Sequence, residues 1–142
     1  MREGEKLKSM LEARCDGIDE QVKFVKNQLP EIISGLRSRL EDRLAEIQAE
    51  VDPSRLEQEL VLLVSKADVH EELDRLEAHV EEVRRVLQQD ESVGRRLDFL
   101  MQELNREANT LGSKSVHLDT TGASVELKVL IEQMREQIQN IE

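Results

Sequence analysis

The sequence predicts an all-α protein in which a long amphipathic helical arm is followed by a compact helical bundle. Two observations support this fold class. Apolar residues recur at spacings of three and four along most of the 142 residues, which is the period of one face of an α-helix. The chain also has only 6 Gly, 2 Pro and no Trp or Tyr. An all-β fold would need more of these turn-forming and aromatic residues.

The first predicted helix is unusually long. Its apolar positions are Leu7, Leu11, Ile18, Val22, Val25, Leu29, Ile32, Leu36, Leu40, Leu44, Ile47 and Val51. Pro30 lies inside this stripe and lacks a backbone N–H, so we expect the helix to be kinked there or split into a helical hairpin. A stripe this long and narrow is typical of a coiled coil and needs a partner. We therefore assign residues 1–51 to a helical arm or connecting region, and residues 52–142 to a compact helical domain.

Two shorter helices are predicted directly after the arm. Asp52 precedes Pro53, which places an N-cap acceptor before a proline at the first helical position, so a helix begins there and extends to about Ala67. Asp68 either caps the next helix, which extends to Leu87, or continues the same one.

Two further helices complete the predicted bundle. One extends from about Ser92 to Leu111, and Gly112 is expected to end it in a left-handed conformation. Residues 113–122 have no helical period, so we expect a loop there. The last helix extends from about Ala123 to the C-terminus.

The composition limits the classes of partner. With 20 basic against 31 acidic residues the formal charge is -11, and Phe24 and Phe99 are the only aromatic residues. A chain of this kind repels phosphate and offers few platforms for stacking bases, so its average composition argues against nucleic-acid binding. The absence of a long apolar stretch or a signal peptide predicts a cytoplasmic protein with no membrane partner. The single cysteine, Cys15, is expected to be a small core residue.

A first polar constellation lies on the predicted third helix. Asp68, Glu72, Arg75 and His79 fall within about 60° of one another on the flank of its apolar stripe. A carboxylate and an imidazole one or two turns apart suit a divalent metal ion or an acid–base pair. The alternative is that Glu72 simply pairs with Arg75 on a highly charged helix surface.

A second constellation lies on the predicted fourth helix. Glu103 and Glu107 are one turn apart on one edge of its apolar stripe, where like charges cost stability unless a cation lies between them. The other edge carries Asp98, Gln102, Asn105 and Asn109. Because amides are poor helix formers, their density favours either a functional site or a buried hydrogen-bond network that fixes helix packing.

The charge of this fourth helix differs from that of the rest of the chain. Between residues 93 and 117 there are four basic and three acidic residues, a net charge of +1, so the remaining residues carry -12. The basic residues are Arg95, Arg96, Arg106 and Lys114. The stretch that is not acidic coincides with the amide-rich helix, as expected if an anion docks there.

Four segments are distinctive in sequence: RLEQELVLL at 55–63, DVHEELDRLEAHV at 68–80, VGRRLDFLMQELNREANTLGSKS at 93–115 and ELKVLIEQMREQIQNIE at 126–142. They closely resemble the C-terminal part of the YicC/YloC family of bacterial endoribonucleases. The resemblance implies metal-dependent cleavage of RNA with Mn or Mg and no small-molecule cofactor, in a cytoplasmic homo-oligomer such as a hexameric ring. Family members carry an N-terminal domain of comparable size ahead of this region, so we expect this chain to be the C-terminal part of a longer enzyme.

The resemblance gives the two constellations expected roles. Glu72, His79, Glu103 and Glu107 are expected to be catalytic and to bind one or two divalent ions, on a face shared by the third and fourth helices or by neighbouring subunits. The residues expected to bind RNA are Arg75, Arg95, Arg96, Asn105, Arg106, Asn109 and Lys114. Two alternatives stay open. His79 acts as a general base without a metal, or the chain is an oligomerisation and interaction module without catalytic activity of its own.

Overall fold

The computed structural model describes residues 2–47, 52–89, 94–115 and 118–140. These residues form five α-helices and no strand, which confirms the all-α prediction. The helices are α1 (Arg2–Ile47), α2 (Pro53–Ala67), α3 (His70–Leu87), α4 (Gly94–Lys114) and α5 (Leu118–Gln139). Within these ranges, no helix combines the length and the apolar character that crossing a membrane requires.

Four of the helices surround one hydrophobic core. α1 packs against α3 and α5, and α4 packs against the same two helices, so the four close into a bundle, while α2 packs against α1. The core includes the N-terminal half of α1, from Leu11 to Leu29. This part of the predicted stripe therefore has α3 and α5 as its partners. Residues 48–51 lie outside the described residues, and the predicted division of the chain at residue 51 stays a prediction.

α1 continues through Pro30 as a single helix. The predicted long helix is therefore confirmed, and the alternative of a split into a hairpin does not occur. Pro30 is exposed, and its missing N–H removes one backbone hydrogen bond. Buried residues lie on both sides of it, with Leu29 at 1% and Ile32 at 7% exposure. The buried residues on either side of Pro30 lie on one apolar face, whose packing offsets the loss of one hydrogen bond in a helix that continues to Ile47.

The predicted starts of α2 and α3 are confirmed by side-chain hydrogen bonds. The Ser54 N–H donates to Asp52 Oδ1 at 3.0 Å, and the His70 N–H donates to Asp68 Oδ1 at 3.0 Å. α3 is therefore a separate helix: Val69 is its N-cap residue, and Asp68, one residue earlier, accepts the hydrogen bond from the first helical N–H. α3 ends at Leu87 as predicted, whereas the predicted start of the next helix near residue 92 lies outside the described residues.

The predicted loop over residues 113–122 is wrong. α4 continues to Lys114 and α5 begins at Leu118; residues 116 and 117 lie outside the described residues. The buried positions in the first turns of α5 are Thr120, Ala123 and Ser124. Because these side chains are small or polar, an apolar period does not reveal them.

Gly112 is a packing position inside α4, and its predicted role as a left-handed cap is also wrong. A Cβ atom at Gly112 would lie 2.6 Å from the Ser124 Oγ atom. The Ser124 hydroxyl in turn donates to the Ala108 carbonyl at 2.9 Å. The missing side chain of Gly112 lets α5 approach α4 closely enough for this buried hydrogen bond to form.

We expect substitution by alanine to change the free energy of unfolding in opposite directions at two helical glycines. Gly112→Ala should lower the free energy of unfolding by about 1–3 kcal/mol, because the new methyl group displaces Ser124. Gly122→Ala is the matched control in α5: no atom lies within 4 Å of its Cβ position, so the better helix former should raise stability by about 0.5–1 kcal/mol. Urea unfolding followed by circular dichroism measures both, and equal stabilisation would contradict the close α4–α5 packing.

Candidate functional site

α3 and α4 lie antiparallel and are joined by three pairs of opposite charge. The pairs, which we call the α3–α4 seam, are Glu72 with Lys114, Arg75 with Glu107, and Glu82 with Arg96. As the residue numbers of the paired residues increase along α3, those of their partners on α4 decrease, so the two helices are antiparallel and the pairs define their register. Charged residues predicted separately on two helices therefore meet at one interface.

The carboxylates of Glu72 and Glu107 are buried in this seam, with side chains 3% and 6% exposed. Lys114 Nζ lies 3.0 Å from Glu72 Oε2 and 3.3 Å from its Oε1. Arg75 Nη1 is farther from Glu107, at 3.7 Å from Oε2, and among the described residues this oxygen has no hydrogen-bond partner. Since a buried carboxylate is costly unless it is fully paired, Glu107 has spare capacity to bind a further positive group.

The alternative pairing of Glu72 with Arg75 along α3 does not occur. Arg75 Nη2 instead donates to Glu71 Oε1 at 2.6 Å, one turn earlier on the exposed side of the helix. Glu72 points into the bundle and reaches across to Lys114. A helix surface network therefore does not account for Glu72.

His79 and Glu103 lie farther along the same seam. The antiparallel register places them opposite one another, between the Arg75–Glu107 and Glu82–Arg96 pairs. His79 is half-buried, and Glu103 is 23% exposed with Arg106 Nη1 at 4.0 Å from its carboxylate. In the part of the chain that the structure describes, neither side chain has a hydrogen bond to the other. The four residues predicted to be catalytic thus share one interface.

These four residues do not converge on a single metal site within the chain. Across residues 2–47, 52–89, 94–115 and 118–140, no three His, Cys, Asp or Glu side chains group closely enough to hold a metal ion. The carboxylate of Glu72 is already bonded to Lys114. Glu103 and Glu107, one turn apart on α4, are the pair whose carboxylates keep the most free coordination. Metal binding stays a prediction.

The residues predicted to bind RNA separate into different environments. Arg75 and Lys114 belong to the seam, and Arg96 Nη2 donates to Glu82 at 2.6 Å. Asn105 and Asn109 are exposed. The predicted buried amide network is wrong, because the one bond it forms among the described residues is from Gln102 Nε2 to Asp98 Oδ2, at 3.3 Å.

The solvent side of α4 carries a continuous polar face without acidic residues. We call it the outer face of α4; it consists of Arg95, Phe99, Gln102, Arg106, Asn109 and Ser113, all exposed. At 100° per residue these positions lie within about 80° of one another and extend for about 27 Å. Phe99, which is 57% exposed, was not among the predicted site residues. The sequence could have identified Phe99 as a site residue, because it is an aromatic residue one turn after Arg95 on the polar side of the helix.

Glu82 determines which arginine beside this face is free. Hydrogen bonds from Arg85 and Arg96 lower the pKa of the Glu82 carboxyl to about 2, so it stays ionised at neutral pH and keeps Arg96 engaged. Arg95, by contrast, has no ion-pair or hydrogen-bond partner in the described ranges. A groove of about 470 Å³ lies beside it, lined by Glu82, Arg95, Arg96, Phe99 and Leu100.

Comparison with known proteins identifies similar chains. Residues 25–142 match the family described as "Endoribonuclease YicC-like, C-terminal". A protein of Haemophilus influenzae named "Probable endoribonuclease YicC" is 53% identical over 141 residues, covering 99% of this chain and 49% of the relative. A Clostridioides difficile protein of the same name is 36% identical over 143 residues, with the same two coverages. The chain spans about half the length of these curated relatives.

Removal of the Lys114 charge is expected to destabilise the bundle. Lys114→Met leaves the buried Glu72 carboxylate without its partner and should lower the free energy of unfolding by about 1–3 kcal/mol, less than for a fully buried pair because Lys114 is partly exposed. Adding Glu72→Gln should recover at least half of the loss. Lys128→Met, at an exposed lysine of α5, is the control and should change stability by less than about 0.5 kcal/mol. Chemical denaturation is measured for five proteins: the wild type, Lys114→Met, Glu72→Gln, the double variant and the Lys128→Met control. Independent, additive effects of the Glu72 and Lys114 changes would contradict their coupling.

Proposed function

Because this chain belongs to the family of YicC-like endoribonucleases and matches its C-terminal region, we propose that it takes part in cleaving RNA phosphodiester bonds. The observation that supports this function most strongly is the proximity of the α3–α4 seam to the acid-free outer face of α4. One surface binds phosphate, and the other supplies buried carboxylates and an imidazole for chemistry. The names of both relatives are in agreement with this role.

RNA binding by an acidic protein requires a surface region whose net charge is positive. Arg95 and Arg106 lie on the outer face of α4, three turns apart, and Arg106 is 73% exposed. Lys114 and Arg75 are 36% and 48% exposed, so they offer positive charge at the same edge as the buried carboxylates. Phosphate contacts of this kind position a strand without reading its sequence.

The carboxylates Glu103 and Glu107 fit a divalent ion. Mg²⁺ and similar hard cations are commonly held by one or two carboxylates together with water and the substrate's phosphates, and the unpaired Glu107 Oε2 is a suitable oxygen. When bound, such an ion supplies an activated water and positive charge for the scissile phosphate. Arg75 forms an ion pair with Glu107 at 3.7 Å, and Glu72 holds Lys114 about two turns farther along α4.

His79 supports the alternative mechanism, in which an imidazole acts as the general base and no metal ion takes part. It is half-buried, lies at the same seam, and has no hydrogen-bond partner within the described residues, so its imidazole is available to accept a proton from the attacking oxygen. In this version Lys114 and Arg75 neutralise the phosphate without a metal. The two versions differ in their response to a chelator.

Amide substitutions on α4 test the carboxylates. Glu103→Gln and Glu107→Gln should each lower the rate of RNA cleavage in manganese by about 100-fold and weaken Mn²⁺ binding, because an amide keeps the shape but loses the charge. Glu132→Gln, at an exposed carboxylate of α5, is the control. Cleavage assays and calorimetric titration with Mn²⁺ measure the two effects. Wild-type rates in both α4 variants would overturn the assignment, and cleavage that persists in chelator but is lost in His79→Asn would favour the imidazole.

We propose self-association as a second function of the chain. Val61 and Leu62 on α2 are 53% and 65% exposed and line a mainly apolar groove together with Ser54, Glu57 and Gln58. Exposed apolar residues grouped in this way are typical of protein interfaces. An assembly role is compatible with RNA cleavage by a longer chain.

A polar residue on α2 tests this second function. Leu62→Gln should lower the molar mass measured by light scattering to that of a single chain, because it removes the apolar contact. Glu57→Gln, at an exposed position on the same helix, should leave the mass unchanged. A monomeric wild-type chain, or an unchanged mass in Leu62→Gln, would contradict the role of this surface.

A further inference from the structure

Phe99 is an exposed aromatic residue in a setting that apolar packing does not explain. The chain has only two aromatic residues, and Phe99 is 57% exposed on the bundle surface. Its neighbours on the outer face of α4 are Arg95 one turn before and Gln102 and Arg106 after it, all exposed. A phenyl ring that contributes little to the core and stands between cations is suited to binding a ligand that combines flat apolar groups with negative charge.

We propose that Phe99 is a stacking platform for a base of single-stranded RNA, with Arg95 and Arg106 contacting phosphates on either side. This inference rests on the proposed function and deepens it by naming the form of RNA that α4 binds. Aromatic rings stack unpaired bases irrespective of sequence, and arginines along the same groove track the backbone. In a duplex the bases stack on each other and are not available to the ring.

The charges of the outer face favour a nucleic acid. Arg95 has no ion-pair or hydrogen-bond partner in the described part of the chain, and Arg106 has a single contact, with Glu103 at 4.0 Å. No residue of this face is acidic. The groove of about 470 Å³ beside Phe99 is also lined by Glu82, Arg95 and Arg96, and it has the size of a small-ligand pocket, which is sufficient for a nucleotide. The Glu82 carboxylate in this groove is already paired with Arg85 and Arg96, so Arg95 is the charge that it leaves free.

A second copy of the chain fits this surface less well. Phe99 is the single large apolar side chain among the six residues of the outer face, whereas a stable protein interface buries a much larger area around several apolar anchors. The amide and hydroxyl groups of Gln102, Asn109 and Ser113 instead offer hydrogen bonds to bases and sugars. The composition of the face therefore favours RNA as its occupant.

The absence of Trp and Tyr allows a direct spectroscopic test. Phe99→Trp introduces a single indole fluorophore at the proposed platform, and Phe24→Trp introduces one at the other exposed phenylalanine, which is 41% exposed on α1. The probe is a single-stranded oligouridine whose sugar hydroxyls are methylated so that it persists. Saturating probe should quench the Phe99→Trp emission strongly and leave the Phe24→Trp emission unchanged, because only a stacked base lies against the indole.

Affinity measurements with leucine variants complete the test. Phe99→Leu should weaken binding of a labelled oligouridine by about tenfold, as expected for loss of one stacked base, while Phe24→Leu should bind like the wild type. Equal affinity of Phe99→Leu and wild type, or absence of quenching in Phe99→Trp at saturation, would overturn the platform and leave the proposed function standing. Absence of any RNA binding by the wild type would contradict both. A change of oligomeric state in Phe99→Leu with unchanged RNA affinity would show a contact between copies instead.

Discussion

The burial of two carboxylates between α3 and α4 is the constraint on which the rest of the structure depends. Glu72 and Glu107 are nearly inaccessible to water, and each requires a cation from the opposite helix. Lys114 and Arg75 satisfy this requirement only if the two helices lie antiparallel in one register, since a shift by a residue would separate both pairs. Apolar side chains would stabilise such an interface as well or better, so stability alone does not account for the charges at this position.

The same register explains how a chain with a charge of -11 keeps a locally basic surface, which is the surface proposed to bind RNA. Glu103 and Glu107 lie on the seam side of α4, and Asp98 lies on the opposite edge of the helix, where it accepts a hydrogen bond from Gln102. On the outer face, Arg95 has no ion-pair partner among the described residues, and Arg106 has one carboxylate, that of Glu103, at 4.0 Å. Electrostatic attraction between exposed charges extends over a Debye length of about 8 Å at physiological salt, so the distant acidic surface does not prevent the proposed attraction of a phosphate to this face.

Short sequence motifs correctly predicted the helix ends that depend on neighbouring residues. They failed to predict the helix boundaries that depend on packing against other helices. Asp52 caps α2 as expected, because an N-cap depends on a few neighbouring atoms. α1 passes through Pro30, and α5 begins at Leu118, because packing against other helices outweighs a lost hydrogen bond or a weak apolar period. The two polar constellations were predicted from helical spacing, but their meeting across α3 and α4 and the availability of Phe99 required the register, which a single sequence does not contain.

Ultraviolet crosslinking of single-stranded RNA to the chain, followed by peptide mass spectrometry, tests the central claim most directly. The claim is that α4 is the helix that contacts RNA, with its outer face on the strand and its inner edge in the seam. We expect crosslinked peptides from residues 94–114, with Phe99 or a neighbour carrying the nucleotide. Crosslinks confined to α1, α2 or α5 would contradict the account.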